Sequence, residues 1–136
     1  MQSGWPKPTW NLTDQQKRDL FKRIRPILFV VYEARDSDGV VVYVGRSALL
    51  VRRLAEHHRL SDWVEEVDVI KLHRCVSEAH MVALERAMIR KFQPEFNETE
   101  RRPLEEEDHR TLALHEDYVR TGNPPAEYPP SFDFRL

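Results

Sequence analysis

The sequence predicts a small α/β domain of the α+β type. A central three-stranded, mostly antiparallel sheet is flanked by helices in the order β-β-α-β-α, with helical extensions at both ends. The stretch VVYEARDSDGVVVYVGRS holds two β-rich runs around a turn signal, which is typical of a hairpin. A third β-rich run, VDVIKLHRC, is followed by a serine and a segment with helical spacing. These two observations indicate the sheet and the helix that follows it.

The central elements can be placed by their flanking residues. Val40 begins the second strand after the turn signal DSDG, Ser77 is a good N-cap, and Pro94 stops the helix that Ser77 begins. The predicted hairpin strands, first helix, third strand and last central helix are Ile27–Arg35, Val40–Val44, Leu49–His58, Val67–Cys75 and the residues after Ser77 to about Phe92.

The chain of 136 residues is expected to form one central domain with an extension on each side. The N-terminal part is an extended arm and a helix that Pro26 stops. The C-terminal part is acidic, with a helix around Leu112 to Val119 and a proline-rich tail. An N-terminal arm and helix, a central domain, and a C-terminal helix with its tail therefore occupy residues 1–26, 27–99 and 100–136.

Composition indicates a cytoplasmic protein without a membrane segment. Apolar residues make up 40% of the chain, but no apolar run approaches the roughly 18 residues of a membrane span. The single cysteine, Cys75, fits a reducing compartment. The net charge of −2 hides an asymmetry, because residues 1–60 carry an excess of Lys and Arg and residues 61–136 an excess of Asp and Glu. The basic half suits a polyanionic partner, and mixed solvated faces explain the same charges.

Two tyrosines in the hairpin, Tyr32 and Tyr43, are predicted to share a face. If Ser37 and Asp38 are the turn residues, the tyrosines pair directly. If Asp38 and Gly39 are the turn residues, the tyrosines are diagonal neighbours. An odd loop without a bulge would separate them. Packing alone explains two adjacent phenols, since tyrosine is a good strand former.

Cationic and titratable residues follow the hairpin closely. Arg46 lies just past the predicted second strand, and Arg53 and His57 are four residues apart on the predicted first helix. Arginine binds phosphate oxygens in bidentate fashion, and histidine exchanges a proton near neutral pH. A solvated helix face is the alternative interpretation of the same spacing.

A carboxylate within an apolar stripe is the most specific feature of the last central helix. Glu85 falls among Met81, Leu84, Met88 and Phe92, where an unpaired charge is costly. A salt bridge to an arginine explains it, and so does a hard divalent cation such as magnesium or manganese.

This ordered set of residues resembles the GIY-YIG nuclease domain. The segments VVY and YVG stand where the family has its two tripeptides, although the first lacks its glycine. Arg53, His57 and Glu85 stand at the family's catalytic arginine, its histidine and its metal-binding glutamate. Asn97, in LERAMIRKFQPEFN, stands at its closing asparagine. The resemblance covers roughly residues 27–98.

The resemblance implies a metal-dependent endonuclease that cleaves DNA and leaves 5′-phosphate and 3′-hydroxyl ends. One Mg²⁺ or Mn²⁺ would be bound by Glu85, with Tyr32 as candidate general base and Asn97 supporting the site from behind. Specificity is expected from the loops, the ends, or a protein partner or oligomer. The alternatives are a catalytically inactive nucleic-acid-binding module and a protein-interaction domain. The implied catalytic residues are Tyr32, Tyr43, Arg53, His57 and Glu85, and the implied substrate-binding residues are Gly45, Arg46, Ser47 and Asn97.

Overall fold

The computed structural model describes Gln15 and residues 29–47, 67–123 and 130–135. The predicted first helix, with Arg53 and His57, lies outside these residues, as does nearly all of the N-terminal extension. The described elements, in chain order, are β1 Val30–Arg35, β2 Val41–Ser47, β3 Val69–Arg74, α1 Glu78–Phe92, α2 Glu106–Thr121 and β4 Ser131–Arg135.

The strands form one antiparallel sheet in the order β2-β1-β3-β4. The predicted α+β class and the antiparallel arrangement of the first three strands are confirmed. The fourth strand is an addition that sequence reasoning missed. It lies in the C-terminal tail, directly after Pro130, and it pairs with β3. The C-terminal extension therefore completes the sheet of the central domain.

The hairpin joins β1 and β2 through an odd loop and a compensating bulge. The Asp36 carboxylate accepts hydrogen bonds from the backbone N–H groups of Asp38 and Val40, and Gly39 has a left-handed φ of 80°. One extra residue in β2, Val42, then shifts the register. The structure thus gives the diagonal arrangement, because the bulge cancels the odd loop.

β2 is longer than the sequence predicted. It extends through Ser47, so Arg46 lies within the strand rather than just past it. Gly45 lies within the strand, since β1 pairs with β2 as far as Ser47. This extension determines the direction in which Arg46 points.

The helix α1 begins at the predicted cap and packs on the sheet. The Ser77 hydroxyl accepts a hydrogen bond from the His80 N–H at 3.1 Å, and the left-handed residue Gln93 ends the helix before Pro94. The core between α1 and the sheet consists of Val31, Val41, Val44, Cys75, Met81, Leu84, Met88 and Ile89.

The helix α2 is longer than predicted, and an ion pair ties it to α1. The Asp108 carboxylate is only 1% exposed and accepts a hydrogen bond from Arg90 Nη1 at 2.8 Å. The other Arg90 amino group binds Glu100 at 3.0 Å. The acidic start of α2 is therefore part of the fold.

No helix among the described residues is long and apolar enough to cross a bilayer.

Candidate functional site

The two hairpin tyrosines form one cluster. Tyr32 is paired with Gly45 and Tyr43 with Ala34, which places both phenols on the same face of the sheet. Their ring centroids are 6.2 Å apart and the rings are tilted by 38°. Tyr32 is fully buried, whereas Tyr43 is half-buried. Solvent therefore reaches this pair from the side of Tyr43.

Gly45 is required by the position of Tyr32. A β-carbon at residue 45 would lie 2.4 Å from both the Cζ and the hydroxyl oxygen of Tyr32. We expected this glycine to let the backbone approach a phosphate. The structure shows that the absent side chain makes room for the phenol, and the approach of a phosphate stays a prediction.

Asn97 holds the strand that carries these residues. Its Oδ1 accepts a hydrogen bond from the Val44 N–H at 2.8 Å, and its Nδ2 donates to the Val44 carbonyl at 2.9 Å. Asn97 is 7% exposed. Its amide therefore fixes the backbone between Tyr43 and Gly45, which agrees with a supporting role and leaves little of the side chain to contact substrate.

Arg46 and Glu85 form the charged part of the site. The Arg46 Nε lies 3.3 Å from the Glu85 carboxylate, and the two side chains are 42% and 22% exposed. By strand alternation Arg46 points to the face covered by α1, opposite the tyrosines. Of the two explanations considered for Glu85, the ion pair is present. Because the Glu85 carboxylate is partly exposed, it is accessible to a second binding partner from solvent.

A divalent ion is compatible with this carboxylate. Mg²⁺ keeps several of its waters and is usually bound through one or two carboxylates together with substrate phosphates. A single, partly exposed glutamate fits that requirement. Among the residues that the structure describes, there is no cluster of three or more His, Cys, Asp or Glu suited to a metal ion. Glu85 would therefore be the protein ligand within the described part of the chain.

Four adjacent residues of β2, from Tyr43 to Arg46, each contact one of the other candidate site residues or are one themselves. Tyr43 lies near the ring of Tyr32, Val44 is held by Asn97, Gly45 accommodates the phenol, and Arg46 pairs with Glu85. Ser47 ends the strand and is half-buried.

Sequence reasoning missed a buried polar group beside α1. Glu33 is 2% exposed and binds Arg35 through a 2.8 Å hydrogen bond, with His73 close by. Burial raises the pKa of the Glu33 carboxyl, but His73 and Arg35 outweigh it and the net pKa is lowered. A signal was present in the run VVYEAR, because a carboxylate within an apolar strand needs partners.

Comparisons with known proteins show the family to which this domain belongs. The family model described as the UvrC-like GIY-YIG domain matches residues 30–98, about half of the chain. The chain belongs to the UvrC-like GIY-YIG family. The match contains all described candidate residues of the site. No curated protein matches the chain.

Solved structures show the same fold for this GIY-YIG domain. One is the N-terminal GIY-YIG endonuclease domain of UvrC from Thermotoga maritima bound to its catalytic divalent cation, magnesium. It is 23% identical, with a TM-score of 0.50, and the alignment covers 64% of this chain and 100% of that one. A point mutant of the same domain, bound to its catalytic divalent cation, is 22% identical with a TM-score of 0.51 over 64% and 99% of the two chains. About a third of this chain lies outside the alignment with that domain.

Proposed function

We propose that this protein is a metal-dependent endonuclease that hydrolyses DNA phosphodiester bonds and leaves 5′-phosphate and 3′-hydroxyl ends. The observation that carries the proposal is the partly exposed Glu85 carboxylate beside Arg46 at the edge strand β2. The family membership supports it. The scissile phosphate would lie along this edge, which carries the tyrosine pair on one face of the sheet and the Arg46–Glu85 pair on the other.

The residues of the site would divide the chemistry between them. A divalent ion bound at Glu85, Mg²⁺ or Mn²⁺, would polarise the phosphate and stabilise the leaving 3′ oxygen. Arg46 would bind a phosphate oxygen, which requires it to release or share Glu85. Gly45 and Ser47, beside Arg46 in β2, would contact the substrate backbone.

Proton transfer is assigned to the tyrosine side of β2. Tyr32 remains the proposed general base, and because it is fully buried, the attacking water would reach it past the half-buried Tyr43. Arg53 and His57, in the segment outside the described residues, would neutralise charge and share protons. Asn97 would maintain the position of β2.

The substitution Glu85→Gln tests the proposal. It keeps the side-chain shape and removes the charge, so plasmid nicking in magnesium should fall to the level seen with a chelator. A half-exposed ion pair contributes no more than about 1 kcal/mol, so the melting temperature should change by only a few degrees. Glu78→Gln, at the exposed first turn of the same helix, is the matched control and should nick normally.

Two outcomes would contradict this assignment. Near wild-type nicking by Glu85→Gln would show that Glu85 is not the ligand. DNA binding by the wild-type protein without any metal-dependent cleavage would favour an inactive nucleic-acid-binding module. We further propose a cytoplasmic location, supported by the single cysteine of the chain, Cys75, which is buried and free. A protein partner or a second copy would supply specificity.

A further inference from the structure

Two arginine–carboxylate pairs involve helix α1, and they differ in how firmly they are closed. In the pair that ties α1 to α2, Arg90 Nη1 lies 2.8 Å from the Asp108 carboxylate, and both side chains are buried. In the pair at the candidate site, Arg46 Nε lies 3.3 Å from the Glu85 carboxylate, and both side chains are partly exposed. Strong charge-assisted hydrogen bonds have N···O distances of about 2.7–2.9 Å, so the second pair is the looser one.

The looser pair is open to an exchange of partners. Breaking the Arg90–Asp108 pair would leave buried charges without compensation, which is strongly unfavourable. Solvent reaches both members of the Arg46–Glu85 pair, and an exposed ion pair changes an equilibrium constant by no more than about fivefold. The Arg46 guanidinium is therefore accessible to an anion from solution, and the Glu85 carboxylate to a cation.

Arg46 and a divalent ion would compete for Glu85. The guanidinium lies beside the same carboxylate that is proposed to bind the metal. Its positive charge would also repel a doubly charged ion within a few ångströms, which lowers the affinity for that ion by up to roughly tenfold even in water. Both effects make the metal site of the free protein weaker than the carboxylate alone would make it.

A phosphate group bound by Arg46 would remove this competition. Guanidinium groups bind phosphate oxygens through paired hydrogen bonds, and Arg46 lies on the edge strand β2 with its side chain partly exposed. Once Arg46 turns to a phosphate, its charge is offset and Glu85 is released. Phosphate binding and metal binding therefore favour each other, and thermodynamic linkage makes the effect equal in both directions.

We propose that Arg46 is an internal competitor for the metal at Glu85, and that a backbone phosphate of the DNA substrate displaces it. The metal site then reaches its full affinity only when nucleic acid is bound. This inference rests on the proposed function, in which Glu85 is the metal ligand and DNA is the substrate. It adds that the protein alone holds a divalent ion weakly and binds it together with its substrate.

Electron paramagnetic resonance of free Mn²⁺ measures the competition in the full chain without nucleic acid. Arg46→Met removes the competing charge, so Mn²⁺ should bind at least about fivefold more tightly than to the wild type. Glu85→Gln should abolish the Mn²⁺ site. Lys91→Met removes an exposed positive charge from the last turn of the same helix and is the matched control, with unchanged Mn²⁺ affinity.

A fluorescent DNA duplex in the presence of a chelator measures the same pair from the side of the phosphate. Glu85→Gln releases Arg46, so fluorescence anisotropy should show duplex binding about fivefold tighter than that of the wild type. In the Arg46→Met background the same substitution should give a distinctly smaller gain, because it removes only the general repulsion between Glu85 and DNA. The difference between the two gains isolates the pair.

Two results would overturn the competition. One is a Mn²⁺ affinity that Arg46→Met changes by less than about twofold. The other is an equal gain in duplex affinity from Glu85→Gln with and without Arg46. Circular dichroism checks that each variant is folded, and Arg46→Gln replaces Arg46→Met if the latter is not.

Neither measurement depends on cleavage, so failure of the competition and failure of the proposed function are distinguishable. A protein that nicks DNA in magnesium but gives either contrary result keeps the proposed function and loses the competition. A protein that gives both expected results without nicking DNA keeps the competition and loses the catalytic proposal. The absence of any Mn²⁺ site in the wild type and in Arg46→Met would overturn both.

Discussion

The contact between Gly45 and Tyr32 predicts that Gly45→Ala destabilises the protein. The new β-carbon would lie 2.4 Å from two atoms of the phenol, about 1 Å less than an ordinary contact that begins at 3.4 Å. Tyr32 is fully buried, so neither its ring nor β2 can move without disturbing the core. Overpacking of this kind costs about 1–3 kcal/mol, and the depth of the overlap places the change in the upper half of that range.

The expected loss is therefore about 2–3 kcal/mol, or roughly 10 °C in melting temperature for a chain of this size. Urea unfolding followed by circular dichroism measures it. Cleavage should fall as well, since the displaced phenol is the proposed base. A methyl group in place of a strand glycine otherwise gains about 0.5–1 kcal/mol, so a net loss is informative.

Two variants isolate the cause. Gly39→Ala has open space around the new atom and only the strain of a left-handed φ, about 1–2 kcal/mol. Tyr32→Leu lacks the phenol atoms that meet the new methyl, so Gly45→Ala should cost far less in that background. Strictly additive effects of Gly45→Ala and Tyr32→Leu, or a loss for Gly45→Ala no greater than for Gly39→Ala, would refute the steric argument.

Three further predictions concern stability. Asn97→Ala should cost about 2–3 kcal/mol in urea unfolding, because it leaves both backbone groups of Val44 without partners. An unchanged midpoint would contradict this. Truncation after Glu100 should lower the melting temperature, because the buried Arg90 guanidinium loses its partner on α2. A truncated chain that melts at the same temperature as the full one would contradict this. Burial, together with the neighbouring histidines, lowers the pKa of His115 to about 3, which means that the unfolded chain binds the extra proton between pH 6.5 and about 3. Stability should thus fall as pH falls, by up to about 1.4 kcal/mol per pH unit, and equal urea midpoints at pH 7 and pH 5 would contradict this.

Local signals predicted much of the central domain. The turn signal, the β-rich runs and the Ser77 cap each act within a few residues, so the hairpin, β3 and α1 lie close to the places that the sequence indicates. The interpretation of Glu85 also held in outline, since a carboxylate in an apolar stripe needed a partner and has Arg46. The choice between direct and diagonal pairing of the two tyrosines depends on the bulge at Val42. No residue near Val42 predicts that bulge.

The features that were missed depend on contacts between distant parts of the chain. Strand β4 is five residues long and follows two prolines, and the support that the described residues show for it is pairing with β3, about sixty residues earlier. A hydrogen-bonded row of histidines joins His73, His80 and His115, whose spacing in the sequence shows no pattern. Such groups become visible only when the topology brings their elements together.

The hydrogen bonds between Asn97 and β2 also bear on whether a second copy of the protein can pair with this strand. β2 is the outermost strand on its side of the described sheet, and an open edge invites another chain to pair with it. Here the side-chain amide of Asn97 stands in for a neighbouring peptide, and the Phe96 N–H donates to the Val42 carbonyl at 3.1 Å. The turn that holds β2 thus occupies hydrogen-bonding positions on this edge through which another chain would pair with the strand.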